Sequence, residues 1–429
     1  MVIDMGRDRW EDAYCWHIQA TFGAVAASRV PEVVTRWVDH CFTGRYRPRV
    51  RILLATRAGT PIEPDPHQPA ADWPLIRIDD DAAHAARIYN WFGSLGRRDS
   101  DEILLVVAEN SLAVNYSHKF GDEATIYPIT RRLWLELSGR DPELAPALLP
   151  DDERVGSARI VAAATRLAAG HPRETLAAVR RLGARTAGGR LGRDDGHTAA
   201  DEPAVTGGWV LFARVLAPPS SRSGRLPSIP FFAHLLTALD LPPEVQHSIL
   251  TDLRPYSPLL AGRAGNAIGP ISFTTDPRVD DPNELAADLA RRVRSGESLV
   301  RVAAGIVAGS VIAARAKLRG RPVGDPSAGD RLTTSCSHVR LPEGQDTTDD
   351  TGGIPRMAGM MAPVPHRLTI NTRETAGVSD MTFGYLGSEI TVDRVHDALK
   401  AVEVSLDTRI VSIDSFPYRQ VGLPTEDVA

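Results

Sequence analysis

Residues 115–123 read Asn115-Tyr116-Ser117-His118-Lys119-Phe120-Gly121-Asp122-Glu123. Upstream, Glu102–Ala108 (EILLVVA) and Ser111–Ser117 (SLAVNYS) are two apolar, β-branched runs separated by Glu109-Asn110, which is the pattern of a hairpin. Downstream, Glu123–Leu137 has helical periodicity. The segment therefore delivers a histidine from a strand end into a tight turn, with an aspartate four residues later at a helix start. Taken alone it has two readings. In one, His118 is a satisfied buried histidine and Asp122 is an N-cap. In the other, the sheet holds His118 rigidly at a cavity, where an imidazole with an ordinary pKa of about 6.5 accepts and returns a proton at neutral pH. Asp122 then locks the turn by capping the helix or pairing with an arginine.

Outward from this segment the first half alternates strand and helix patterns. His17–Val25 reads as a strand and Pro31–Phe42 as a helix with proline at its first position. Arg49–Ala55 and Pro74–Ile78 read as strands, and residues 154–187 as one or two helices rich in Ala and Arg. Gly188–Gly208 has six glycines and four acids in 21 residues, with no apolar periodicity, and is the best linker candidate. The second half predicts strands at Trp209–Ala217, Glu244–Leu253, Arg331–Val339, His366–Arg373 and Asp380–Leu386. It predicts helices at Ile229–Leu239, Asn283–Arg294, Leu299–Leu318 and Val392–Thr408. Each half holds a sheet and helices, so the chain reads as α/β, two sandwiches of about 200 residues each. The expected subdomains are residues 1–190, carrying the histidine, and 205–429.

Composition narrows the class. The chain has 429 residues, 43% of them hydrophobic, which is enough for a substantial core and excludes a disordered chain. Of 49 basic residues only Lys119, Lys317 and Lys400 are lysines, so 46 are arginines. That bias lowers the weight of any single arginine, and it nearly removes Schiff-base chemistry. Three scattered cysteines (Cys15, Cys41, Cys336) form no metal or disulfide pattern and fit a reducing cytoplasm. The charged N-terminus is not a signal peptide, and the longest uncharged apolar run, Val302–Ala314, is 13 residues, too short for a bilayer. A net charge of −5 without a basic block interleaved with aromatics argues against nucleic acid. No metal site is expected.

The histidine segment resembles the HHxxxDG signature of the chloramphenicol-acetyltransferase-like acyltransferases, which include the condensation domains of nonribosomal peptide synthesis. Four other regions match in order. Residues 17–42 look like the family's opening strand and helix. Leu250–Asn266 (LTDLRPYSPLLAGRAGN) looks like its "dlRp…GN" segment. Thr333–Pro342 (TTSCSHVRLP) is similar to its "SNlG.lP" strand. Leu368–Val402, with the strand MTFGYLG, looks like its closing strand and helix. Two positions depart from the signature: Ser117 stands where its first histidine is usual, and Glu123 where its glycine is usual. The glycine replacement brings a Cβ and a charge to the turn.

The resemblance implies two chloramphenicol-acetyltransferase-like α/β subdomains forming a V around a central tunnel, with His118 as the catalytic histidine, Asp122 as the structural aspartate and Arg254 as its partner. It implies a stand-alone condensation-type enzyme of natural-product biosynthesis, cytoplasmic, with no bound cofactor. The donor arrives as a phosphopantetheine thioester on an acyl or peptidyl carrier protein, or as a CoA thioester, and the acceptor is an amine or alcohol. An acyl-CoA-dependent O-acyltransferase of lipid metabolism and an inactive scaffolding member are the alternatives. A long amphipathic membrane helix is missing from the sequence, which disfavours membrane action. Ser117, Lys119, Glu123, Ser335 and Ser337 are candidate substrate contacts. Glu123 has three readings: solvated, helping to cap the helix, or touching an amine substrate. Cys336 reads as a small buried residue rather than a nucleophile. Met357, Met360 and Met361 read as a soft apolar cluster in a loop. The stretch 159–193, with eight arginines and one acid, reads as a solvated helix face or a dock for an acidic carrier protein.

Overall fold

The computed structural model describes residues 14–20, 24–95, 99–140, 155–188, 207–221, 223–276, 280–318, 332–340, 357–361, 363 and 365–418. The first sheet contains β1 (Tyr14–Ala20), β2 (Arg49–Leu54), β3 (Glu102–Val107), β4 (Ser111–Ser117) and, from much later in the chain, β9 (Met357–Met361), in the order β2-β3-β4-β1-β9. The second has seven strands: β5 (Gly208–Leu216), β6 (Gln246–Asp252), β7 (Ile268–Phe273), β8 (Thr333–Arg340), β10 (Arg367–Thr375), β11 (Val378–Leu386) and β12 (Arg409–Tyr418), in the order β12-β5-β11-β10-β8-β6-β7. This is a two-sheet α/β protein, as the alternation of patterns requires.

Strand alternation separates the faces of each sheet. Ile103, Leu105, Val107, Leu112, Val114 and Tyr116 face a core completed by α1 (Val30–Cys41) and α3 (Glu123–Leu137). The alternate residues Leu104, Val106 and Ala113 face the other way. There α2 (Asp81–Ser94) packs between them and Val210, Phe212, Leu386 and Tyr418 of the second sheet. The outer face of the second sheet (Leu211, Ala213, Ile249, Cys336, Ile370, Phe383) is covered by α6 (Ser228–Ala238), α7 (Pro282–Arg294) and α9 (Val392–Leu406). A separate cluster joins α4 (Ser157–Gly170) to α8 (Glu297–Leu318), and α5 (Pro172–Gly188) packs beside them.

Several expectations need correction. Pro74–Ile78 is extended but joins no sheet, because its backbone bonds go to the β3–β4 turn: Glu109 N–H donates to Ile76 O (2.9 Å), and the Asn110 side chain brackets Ile78. Met357, Met360 and Met361 lie on β9, paired antiparallel with β1 (Met360 opposite Trp16), and not in a loop. Helix α2 and strands β7, β9 and β12 were not foreseen. The linker candidate at 188–208 lies almost entirely outside the described residues. Among the described residues no helix is long and apolar enough to cross a membrane.

Two buried histidines sit far from the histidine motif in sequence. His84 on α2 is 2% exposed and its Nδ1 has no partner, while His247 on β6 is bracketed by the Thr334 and Thr275 hydroxyls at 2.8 and 2.9 Å. Burial, aided at His84 by Arg87, pushes both down to about 4. Both are therefore neutral in the fold, whereas in the unfolded chain they titrate near about 6.5. As pH falls from about 6.5 to about 4 the unfolded state takes up the protons first, so stability declines across that window. Each histidine should add about 1.4 kcal/mol per pH unit to the slope. Urea unfolding at a series of pH values should show this decline, and it should be shallower in His84→Gln.

Candidate active site

The turn after β4 is built by local chemistry. Ser117 Oγ accepts from Lys119 N–H (3.1 Å), closing the short helical turn His118–Phe120. Gly121 then takes φ +139°, and a Cβ there would stand 2.8 Å from Thr125, so the position requires glycine. Asp122 is the N-cap of α3, its Oδ1 accepting from Thr125 N–H at 3.1 Å. That carboxylate does more than cap. Oδ1 also accepts from Thr125 Oγ1 (3.0 Å) and from Arg254 Nη2 (3.0 Å), and Oδ2 accepts from Ala267 N–H (2.9 Å). Arg254, just past β6, in turn donates to the carbonyls of Arg263 and Gly265 (both 2.8 Å) and to Asp252 (2.9 Å). The aspartate of the motif and the arginine of the "dlRp" segment thus meet across 132 residues, both largely buried.

His118 is buried, 6% exposed. Asn266, at the end of the same "GN" segment, donates Nδ2 to the His118 carbonyl (2.7 Å) and sets its Oδ1 3.1 Å from His118 Nδ1. With Nδ2 committed as a donor, the amide oxygen must accept, so Nδ1 carries the proton and the basic lone pair is on Nε2. Burial pulls the His118 pKa below the ordinary imidazole value, against smaller opposing effects from Asn266, Asp122, the Gly121 backbone and Glu123. The result is a neutral, fixed imidazole at neutral pH, the state a general base requires.

Glu123 is largely withdrawn from solvent, which corrects the solvated reading. Arg373 on β10 grips it bidentately, Nε to Oε1 and Nη2 to Oε2, both 3.0 Å. The Arg373 side chain is 2% exposed and its Nη1 has no hydrogen-bond partner among the described residues. Its guanidinium lies against Gly359 of β9, where a Cβ would come within 1.8 Å of Nη1. Lys119 forms an ion pair with Asp101 at the start of β3. Ser335 and Ser337 lie on β8, partly exposed, on the sheet face that meets α3: their strand neighbour Val339 packs on Tyr127. Cys336 points to the opposite core, fully buried, with its thiol pushed up by burial. His17 pairs in register with Val114 and Gly359, and His338 stands 3.1 Å from Glu374. Of the Arg-rich stretch, Arg181 donates to the buried Glu297, while Arg166, Arg173 and Arg180 are exposed. A cleft of about 450 Å³ between α4, α5 and α7 includes Arg181 but none of the motif residues.

Sequence reasoning missed Thr125, Asn266 and Arg373. Asn266 ends the segment Leu250–Asn266, whose pattern gives it no role of its own. Thr125 is an ordinary helix-start residue. Arg373 was hidden among 46 arginines, and only Glu123, the charge in a glycine's place, hinted that a counter-charge was needed.

The two-sheet fold as a whole is shared with solved structures. The EpoB NRPS cyclization-docking bidomain from Sorangium cellulosum superposes with a TM-score of 0.51 at 14% identity, covering 92% of this chain and 78% of that one. Weaker likenesses are to the PapA2 acyl transferase (TM-score 0.48, 13% identity, 92% and 85% covered) and to the first condensation domain of the CDA synthetase (TM-score 0.48, 14% identity, 92% of each chain). Neither a sequence-family model nor a curated protein sequence matches the chain.

Two buried ion pairs therefore hold the site, and each is open to measurement. Breaking one partner of a buried pair costs about 3–5 kcal/mol. Arg254→Ala should lower unfolding free energy by that order in denaturant titrations. Arg373→Ala should do the same, while Glu123→Ala/Arg373→Ala should lose less than the sum of the single variants, by at least about 1 kcal/mol. Additive losses would show that Glu123 and Arg373 act independently.

Proposed function

We propose that the protein is a condensation-type acyltransferase. It joins a thioester-bound acyl or aminoacyl group, carried on a phosphopantetheine arm of a carrier protein or on CoA, to an amine or hydroxyl acceptor. The observation that carries this reading is His118: buried, kept neutral, its Nδ1 turned to Asn266, and fixed where the first sheet's motif meets residues 252–267 of the second half. The fold supports the same class.

In this reading His118 Nε2 takes the proton of the acceptor N–H or O–H as that atom attacks the thioester carbonyl. The new C–N or C–O bond forms, the C–S bond breaks, and the proton passes to the departing thiolate. The thioester supplies the driving force, so the chain's residues need only position both substrates and move one proton. Such proton transfer is typically worth about 10²–10⁴ in rate, and end-to-end positioning contributes further. Asp122 and Arg254 do not touch the reacting atoms; they fix the turn that carries the imidazole. Carrier protein and CoA remain the two donor classes, separated by offering each with mixed amines and alcohols.

Two outcomes test the assignment. His118→Ala should reduce transfer by about 10²–10⁴, with the variant still folded by circular dichroism and destabilised by no more than about 1–3 kcal/mol. Transfer by His118→Ala at the wild-type rate would overturn the general-base role. Because burial lowers the His118 pKa, the imidazole protonates only below its ordinary range. The acid limb of the pH–rate profile should therefore lie below about pH 6.5, and an acid limb at or above that value would contradict a buried neutral base.

A further inference from the structure

The second sheet has two unlike faces on the same strands. On β6, β8 and β10 the residues Ile249, Cys336, Leu368 and Ile370 point into the apolar core. Their alternates form a row in register: Ser248 opposite Ser335 opposite Thr369, and Leu250 opposite Ser337 opposite Asn371. Five of these six are polar, and all six are partly exposed although they lie on internal strands. The next row holds Val339 against Tyr127 and Arg373 against Glu123, so this polar strip runs up to the start of α3. Two residues along a strand span about 7 Å, so Asn371 follows Arg373 at that spacing. Strand β9 covers the neighbouring part of the face, where Gly359 N–H meets Thr382 Oγ1 at 3.4 Å.

Polar atoms along this inner face lack partners. Asn371 Oδ1 and Arg373 Nη1 are buried and have no hydrogen-bond partner among the described residues. In the first sheet Asn115, 3% exposed, lies two residues before Ser117 on the face opposite the α1/α3 core, and its Oδ1 is also buried and unbonded. A buried amide oxygen without a partner costs about 1–3 kcal/mol. Two such acceptors and one donor, on the inner faces of strands that reach the β4–α3 turn through Asn115 and the Arg373–Glu123 pair, are costly when unpaired and satisfied by a ligand bearing hydrogen-bonding groups. An alkyl chain on the same surface leaves all of them unpaired.

Resting on the acyltransferase reading above, we propose that the substrate group lying on the Ser248–Ser335–Thr369 and Ser337–Asn371 strip is short and polar. It is an amino- or hydroxy-substituted acyl or acceptor group, and not a long alkyl chain. Asn371 and Ser337 determine this preference, and a fatty-acyl transferase of lipid metabolism is correspondingly disfavoured.

The test uses the full-length protein and non-reacting probes, so it does not depend on transfer. Two matched series are titrated calorimetrically: pantetheine amides of hydroxyacyl, aminoacyl and octanoyl groups, and amino alcohols against plain alkylamines of equal length. In at least one series the polar member should bind about ten-fold or more tighter than the alkyl member, a difference of about 1.4 kcal/mol. Asn371→Leu and Ser337→Val should each erase or reverse that preference, with circular dichroism and thermal unfolding checking that both variants fold. Equal or tighter binding of the alkyl members in both series overturns the proposal, as does no binding in either. A polar preference that survives both substitutions overturns the role of Asn371 and Ser337. Transfer of the corresponding thioesters by wild type and not by His118→Ala tests the acyltransferase reading separately, because polar binding without transfer sinks that reading alone.

Discussion

Two adjacent carboxylates at the start of α3 hold the two halves of the chain around one imidazole. Asp122 takes Arg254 from the end of β6, and Glu123 takes Arg373 from β10. Both stand where the helix N-terminus favours negative charge. Each pair is largely removed from water, so neither arginine can leave without exposing an unpaired buried charge. The consequence is geometric. The β4–α3 turn cannot rotate relative to the β6–β7 loop or to β10 without breaking one of these pairs. Asn266, one residue before Ala267, is carried with the loop and arrives at both the carbonyl and the ring of His118.

In the acyltransferase reading proposed above, that arrangement keeps a histidine neutral without making it inert. Burial alone produces a depressed pKa, as His84 and His247 show, and in both it produces a structural residue. His118 differs in what surrounds it. Asn266 accepts from one ring nitrogen, and Asp122 and Glu123 add negative potential, so protonation of the ring during a reaction is supported from several sides even though the resting ring is neutral. A base that is neutral at rest and stabilised once charged is what proton abstraction in the transition state asks for.

The fold was legible in the sequence where periodicity was strong. The hairpin β3–β4, helices α1 and α3, and most elements of the second half sit within a few residues of expectation. Elements went unseen where the signal was carried by context. Strand β9 is five residues of Met, Ala and Gly that become a strand only by pairing with β1, more than 300 positions away. Pro74–Ile78 has the composition of a strand, but the Asn110 side chain takes its hydrogen bonds. The pairing of Asp122 with Arg254 was readable because both residues lie in ordered motifs. Arg373 was not, since nothing in its surrounding sequence distinguishes it from the other arginines. Glu123 carried the missing information, because a carboxylate in place of a glycine at a buried turn must find a cation.

The same logic separates the two faces of the second sheet. On β8 the sequence Thr333–Val339 alternates polar and apolar only weakly, and by pattern it passes for a half-solvated strand. In the structure β8 lies between β6 and β10, so a polar face there is not the outer surface of an edge. A folding protein gains most by filling such a position with apolar side chains. Serines, a threonine and an asparagine instead occupy the side that meets α3, while the opposite side sends Ile249, Cys336, Leu368 and Ile370 into the apolar core beside the hydrogen-bonded His247 and Thr334. Packing alone does not favour that asymmetry, and the unpaired amide oxygen of Asn371 makes it costlier still. In the reading proposed above, a polar substrate group on this face offsets that cost, and the buried Arg373–Glu123 pair at the end of the strip, with Arg373 flat against Gly359, fixes where the face ends.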